Sequence, residues 1–309
     1  MTGPDAEPAA PDEAIPHCYR HPGVETRIRC TRCERPICPA CMIPAAVGFQ
    51  CPDDVKSAHA GARQVRTPFG GVVRQGNPVV TYAILAINIG VFVASMAGGS
   101  ITNVTGSSIF RRFEDNPYAI DLGHQYYRLL TSAFLHFNVI HIFLNMYCLM
   151  LLGPQLETIL GRLRYAALYL VSAVGGGVAV YVVDSGGAGA SGAIFGLFAA
   201  YFVIARRVGA DTGPILTTIG LNLAFTFLVP GISKAGHIGG LVTGAVVAAA
   251  LVYIPRTAQR NVLQAVGVAA VVAVLAILTF THRTPAHGNL AGCHVDAEGR
   301  IVCGSSPFG

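Results

Sequence analysis

The sequence is short of charge. Only 12% of its 309 residues are Asp, Glu, Lys or Arg, where a water-soluble domain carries about a quarter, and mean hydropathy is +0.53. A soluble globular domain with an ordinary surface is excluded. The first 16 residues lack any apolar run and are rich in Pro, Ala, Asp and Glu. No cleavable signal peptide is expected there, and the segment reads as disordered. The long apolar stretches hold almost no acidic or basic residue at mid-depth, which argues against a zinc-linked transporter with broken helices and buried charges. A concentrated basic face is also missing, so the net charge of +5 carries no expectation of a nucleic-acid partner.

Apolar length is what the chain has. Seven stretches are long enough, or nearly so, to span a bilayer: 79–97, 139–156, 165–183, 190–205, 214–229, 235–254 and 262–280. The third and fifth contain glycine or polar residues, so their edges are soft. Basic residues set the expected topology. Nine lie between Arg20 and Arg74, and the turns after stretches two, four and six carry Arg162 and Arg164, Arg206 and Arg207, and Arg256 and Arg260. The opposite loops are poorer, apart from Arg111, Arg112 and Arg128 in the long first loop. This bias predicts a cytoplasmic N-terminus and, with seven spans, an extracytoplasmic C-terminal tail. The excess of arginine over lysine, with abundant Ala, Gly and Val, points to a bacterial plasma membrane.

Residues 17–56 carry six of the nine cysteines. They fall in pairs at two-residue gaps: Cys18 with His21, Cys30 with Cys33, Cys38 with Cys41, and Cys51 with Asp54. Such spacing presents two side chains from a tight turn to one tetrahedral ion, so eight ligands make two zinc sites. About 40 residues bury too little apolar surface to fold unaided, and metal would supply the folding energy. A cytoplasmic location argues against disulfides; an iron–sulfur cluster is the other alternative. The arrangement resembles a B-box type zinc finger with interleaved pairs. That resemblance implies Cys18, His21, Cys38 and Cys41 at one zinc, and Cys30, Cys33, Cys51 and Asp54 at the other. Asp54 departs from the usual cysteine or histidine, and Asp53 or His59 are alternatives. Such a module points to a cytoplasmic protein partner. Residues 57–76 read as a linker whose arginines face lipid headgroups.

Four polar groups stand out in the apolar stretches: His141 and Asn145, Ser191, and His237. Each lies near the start of its span, and the three spans run in the same direction, so all four reach one depth. Buried polar groups are costly without a role, and a Ser–His pair is a nucleophile with its base. Ser191 would attack a carbonyl, and His237 would take its proton and return it to the leaving amine. His141 and Asn145 are four residues apart and share a helix face. With the Ser191 backbone N–H they would hold the oxyanion, where one donor is worth about 3 kcal/mol of barrier. No carboxylate is placed to complete a triad, so a dyad is expected. Gly192, Gly240 and Gly244 would let two helices approach closely enough for a direct Ser–His hydrogen bond.

These residues form three motifs: Gly189-Ala190-Ser191-Gly192-Ala193-Ile194-Phe195-Gly196, His237-x-Gly239-Gly240-x3-Gly244, and His136-x4-His141-x3-Asn145-Met146. Residues 77–282 thereby resemble the rhomboid intramembrane serine proteases. The resemblance implies an all-α polytopic membrane protein with a six-helix core, to which the seventh span is a C-terminal addition. It implies cleavage of membrane-protein substrates, single-pass or polytopic, in or near the lipid bilayer, with no catalytic metal or nucleotide. Three departures are visible. Tyr127-Arg128 replaces a Trp-Arg pair, Gly236 replaces an alanine before the histidine, and Phe195 stands where a tyrosine packs under it. A catalytically inactive rhomboid-like binder of membrane helices is the alternative, and the intact polar set argues against it. The tail, 283–309, alternates apolar residues around Glu298-Gly299, which predicts a hairpin, with Cys293 and Cys303 as disulfide partners on an oxidising side.

Overall fold

The computed structural model describes residues 14–61, 66–72, 76–183, 186–282, 293–295 and 301–303. The chain divides into two compact units, Met1–Gln64 and Val65–Gly309.

The first unit has little regular structure. A two-residue hairpin, β1 (Ile43–Pro44) with β2 (Phe49–Gln50), precedes the helix α1 (Pro52–Gly61). Its buried core is Cys18, Cys30, Cys38, Cys41 and Cys51 around the single aliphatic residue Ile37. A core made of thiols contributes little hydrophobic free energy, so this fold needs something the thiols can bind.

The second unit is helical. Its elements are α2 (Val79–Ser95), the short loop helices α3 (Ser108–Phe113), α4 (Pro117–Gly123) and α5 (Arg128–Thr131), then α6 (Val139–Leu160), α7 (Arg162–Val182), α8 (Ser191–Val208), α9 (Gly213–Leu228), α10 (Lys234–Val252) and α11 (Arg260–Thr281). Among the described residues, six helices are long and apolar enough to cross a membrane, and α9 is apolar but shorter. Its 16 residues rise about 24 Å at about 1.5 Å each, less than the roughly 30 Å of a hydrocarbon core. This is the polytopic all-α architecture expected from the sequence, with α11 appended after the core.

The helix boundaries follow from caps. Asn138 accepts from His141 N to start α6, and Ser233 accepts from Gly236 N to start α10. Gly209, at φ 74°, closes α8 in the left-handed region that favours glycine. The cap of α2 comes from another helix. Buried Glu157 of α6 accepts from Val80 N at 3.0 Å, Thr81 N at 2.8 Å and Thr81 Oγ1 at 2.9 Å, so a carboxylate meets the positive end of the α2 dipole.

α7 and α8 form the centre, with 61% of their most apolar stretch buried against 17% for α11. The exposed apolar side chains gather on the outer helices, for example Val93 on α2, Phe225 on α9 and Val266 on α11, the faces that lipid would cover. α8 and α10 touch backbone to backbone. A Cβ on Gly240 would lie 1.9 Å from the Gly192 carbonyl oxygen, and one on Gly244 would lie 2.3 Å from Gly196 Cα. Only glycine fits there, as the sequence spacing predicts.

The expected linker departs from the sequence-based expectation, whereas the hairpin expected in the tail is present. Within the stretch expected to be a linker, residues up to Gly61 continue α1, and residues 66–72 fold onto the membrane unit through bonds such as Arg260 Nη1 to Pro68 O at 2.7 Å. In the tail, β3 (Cys293–Val295) pairs antiparallel with β4 (Ile301–Cys303), and Cys293 faces Cys303 across the ladder. The expected Cys293–Cys303 disulfide lies outside the side chains the structure describes.

Candidate active site and metal centres

Ser191 is the first residue of α8, His141 and Asn145 lie in the first two turns of α6, and His237 lies in the first turn of α10. All four line one open cavity of about 1270 Å³. Its lining includes the loop residues Glu114, Asp115, Gly186 and Ala188, and also Ile140 and Leu144 of α6, Phe225 of α9 and Val229 just after α9. The cavity is therefore bordered by both loop and apolar helix residues.

The nucleophile-bearing turn is tight. Gly189 has φ 138°, and a Cβ there would lie 2.9 Å from His141 Nε2 and 3.6 Å from Ser191 Oγ. The His141 ring and the Ser191 hydroxyl thus share the space that this missing side chain leaves. His141 is held from both ends. Its Nδ1 accepts from Phe137 N at 3.4 Å, and its ring stacks on Phe137 at 5.5 Å and meets the buried His136 ring at 5.0 Å. Nε2 is left to face the serine. Asn145 Nδ2 donates to the His141 carbonyl at 2.9 Å, which fixes the amide on the same helix face.

His237 is buried, 8% exposed. Its ring stacks on Phe195 with centroids 4.3 Å apart and planes 21° from parallel. Its Nδ1 lies 2.7 Å from Thr226 Oγ1 of α9, and the same hydroxyl lies 2.7 Å from the Asn222 carbonyl oxygen. Among the described residues, no hydrogen bond joins Ser191 to His237. The glycine-lined approach of α8 and α10 is present, and the direct bond expected from it is not formed.

Sequence reasoning missed Thr226. A threonine in an apolar helix is unremarkable alone, but Thr218, Asn222 and Thr226 recur every four residues and form one polar stripe, each bonded to the preceding turn. It also missed Asp115. This carboxyl is 2% exposed, lines the cavity, and has no hydrogen-bond partner for either oxygen among the described residues. Burial raises its pKa well above the usual carboxylate range, against the opposing pull of Arg128. Arg128 itself is fully buried and holds the first loop, donating to Gln125 Oε1 at 2.7 Å and to the Arg111 and Glu114 carbonyls at 2.8 and 2.9 Å. Tyr127 contributes an edge contact to Phe113.

In the first unit the interleaved pairing is present. The ligand atoms of Cys18, His21, Cys38 and Cys41 lie within 4.8 Å of one another, and so do those of Cys30, Cys33, Cys51 and Asp54. His21 Nδ1 is 3.3 Å from both Cys38 and Cys41 sulfurs, and Cys33 and Cys51 sulfurs are 3.7 Å apart. A tetrahedron with metal–sulfur bonds of about 2.3 Å has edges of about 3.8 Å, so both sets fit a metal ion. Asp54 is the carboxylate of the second set, its Oδ2 3.1 Å from Cys30 Sγ. Asp53 instead pairs with Arg35 at 3.3 Å, and the His59 side chain lies outside those described.

Residues 123–254 match the rhomboid domain. The chain is 34% identical over 189 residues to the rhomboid protease GluP of Bacillus subtilis (strain 168), covering 58% of this chain and 36% of that protein. It is 35% identical over 130 residues to RHOMBOID-like protein 2 of Arabidopsis thaliana, covering 39% of this chain and 41% of the relative. It is 33% identical over 128 residues to the putative rhomboid protease YdcA of B. subtilis, covering 39% and 64%. The chain thus spans less than two thirds of each of these relatives. Within the membrane unit, residues 123–254 are thus similar to the rhomboid domain, and the chain is similar over part of its length to proteins named as rhomboid proteases.

Proposed function

We propose that this chain is an intramembrane serine endopeptidase that cleaves transmembrane protein substrates in or near the bilayer. The observation that carries the reading is the placement of Ser191, His237, His141 and Asn145 around one cavity bordered in part by apolar residues of α6 and α9. On this reading a substrate helix in the bilayer docks against those apolar residues, and water enters from the loop side.

Ser191 Oγ adds to the scissile carbonyl while His237 Nε2 takes its proton. Thr226 supports the base. With its hydroxyl hydrogen directed to the Asn222 carbonyl, its oxygen accepts from His237 Nδ1–H. The proton then sits on Nδ1 and Nε2 is bare, the tautomer a general base needs. Asn145 Nδ2, His141 Nε2–H and the Ser191 N–H stabilise the oxyanion. His237 protonates the leaving amine to give an acyl-enzyme, and water, deprotonated by the same imidazole, releases the acid.

In the first unit we propose zinc at both ligand sets and a cytoplasmic protein partner. Thiolate-rich sets with one imidazole or one carboxylate suit zinc, and all four positions of each are filled by protein, as in structural sites. The arginine distribution supports a bacterial plasma membrane with the N-terminus inside and the C-terminus outside.

The test is reconstitution with a labelled single-pass membrane protein in liposomes. Cleavage by the wild type and loss by at least about a thousandfold in Ser191→Ala are expected. Intact substrate that nevertheless co-purifies with the wild type would replace this reading with the inactive helix binder.

A further inference from the structure

At the end of the bundle opposite Ser191, residues 66–72 fold against the α6–α7 turn and the start of α11. Phe69 is buried in the helical core. Gly71 lies so close to the chain that a Cβ would come within 2.2 Å of the Leu160 carbonyl oxygen. Three arginines meet there. Arg66 Nη1 donates to the Gly70 carbonyl at 3.1 Å, and Arg260 Nη1 donates to Pro68 O at 2.7 Å. Arg164 donates to Gln264 Oε1 and to Asn261 Oδ1, both at 2.8 Å. A Cβ on Gly70 would lie 3.1 Å from Arg164 Nη2 and 3.7 Å from Arg260 Cδ, so the three side chains converge on one glycine.

All of these partners are neutral. Among the described residues the ion pairs are Arg35 with Asp53 and Arg162 with Glu157, and none of the three converging arginines takes part. Each guanidinium offers five N–H donors, and the bonds above occupy only four of the total. Arg260 is 8% exposed, and its buried Nε has no partner among the described residues. Two helices also begin here, α7 at Arg162 and α11 at Arg260, and neither has a side-chain cap. Their free N–H groups and dipoles favour negative charge.

We propose that Arg66, Arg164 and Arg260 form a binding site for a phosphate group, either the headgroup phosphate of an anionic lipid or a small soluble phosphate. Planar guanidiniums match phosphate oxygens in pairs, and the like charges gathered here favour an anion between them. Because one of the three lies in the segment before α2 and the others on α7 and α11, the bound anion would clamp that segment to the bundle. The proposal is independent of the protease reading, since it uses none of the cavity residues.

The test uses the full chain in a neutral detergent. Native mass spectrometry measures retention of phosphatidylglycerol against phosphatidylcholine, and a thermal-shift titration measures inorganic phosphate. Arg66→Gln and Arg164→Gln are the variants, both at positions less buried than Arg260; should one fail to fold, the other decides. A wild-type preference for phosphatidylglycerol that falls about tenfold in the variants supports a lipid ligand. Stabilisation by inorganic phosphate that the variants lose, without lipid preference, supports a soluble one. No binding of either probe by the wild type, or binding unchanged in both variants, overturns the proposal.

Discussion

The imidazole of His237 is held from two directions, by the Phe195 ring against its face and Thr226 at Nδ1. On the proposed mechanism Thr226→Val removes the acceptor that selects the tautomer while keeping the volume. We expect kcat to fall about ten- to a hundredfold with KM little changed, and Thr226→Ser to restore most of it. An unchanged kcat in Thr226→Val would show that Phe195 packing suffices. Asp115 makes the opposite kind of prediction. Its folded-state pKa lies above the unfolded value because burial penalises the charged form. Its contribution to stability is therefore present at low pH and is lost as pH rises past the unfolded value of about 3.9. Asp115→Asn should leave the protein at least as stable at pH 7 and should flatten the slope of stability against pH above about 4. Thermal unfolding in detergent across that range measures it, and a slope identical to the wild type would contradict the account.

At the scale of elements, two contacts set the helix positions around the site. Gly240 has no room for a side chain against the Gly192 carbonyl. Gly240→Ala must push α10 from α8, so a loss of about 1–3 kcal/mol is expected, along with the activity of a site built from both helices. Glu157 caps α2 across a helix interface. Glu157→Ala leaves two backbone N–H groups and a hydroxyl unpaired, at about 1–3 kcal/mol. Denaturation in mild detergent checks both, and a midpoint within error of the wild type would count against either argument. Much of this level was legible in advance. Hydropathy marked every long helix, and the polar residues His141, Asn145, Ser191 and His237 were conspicuous because apolar neighbours surround them. Thr226 and Asp115 were not, since a threonine in a helix and an aspartate in a loop are ordinary until tertiary packing brings them to the cavity. The 66–72 segment was hidden for the same reason. Its neighbours Arg164, Arg260 and Gln264 lie far away in sequence, and its local composition resembles a linker.

For the whole molecule, the chain joins two units whose folding rests on different physics. The membrane unit is held by apolar packing around α7 and α8, whereas the first unit has a core of thiols. Chelation should therefore unfold residues 17–56 and leave the helices of the membrane unit intact. A metal chelator at neutral pH is expected to release two equivalents of zinc and to expose six thiols to alkylation, with helical circular dichroism nearly unchanged. Release of no metal from protein purified without chelator would contradict the reading of both ligand sets. Residues 123–254 match the rhomboid domain, and what distinguishes the proposed protease from an inactive helix binder is whether Ser191 is a nucleophile. The most direct measurement is labelling of the purified full chain with a fluorophosphonate probe, located by mass spectrometry. The account predicts label on Ser191 in the wild type, absent in Ser191→Ala and strongly reduced in His237→Ala. A folded wild-type protein that takes no label at Ser191, or takes it equally in His237→Ala, would contradict it.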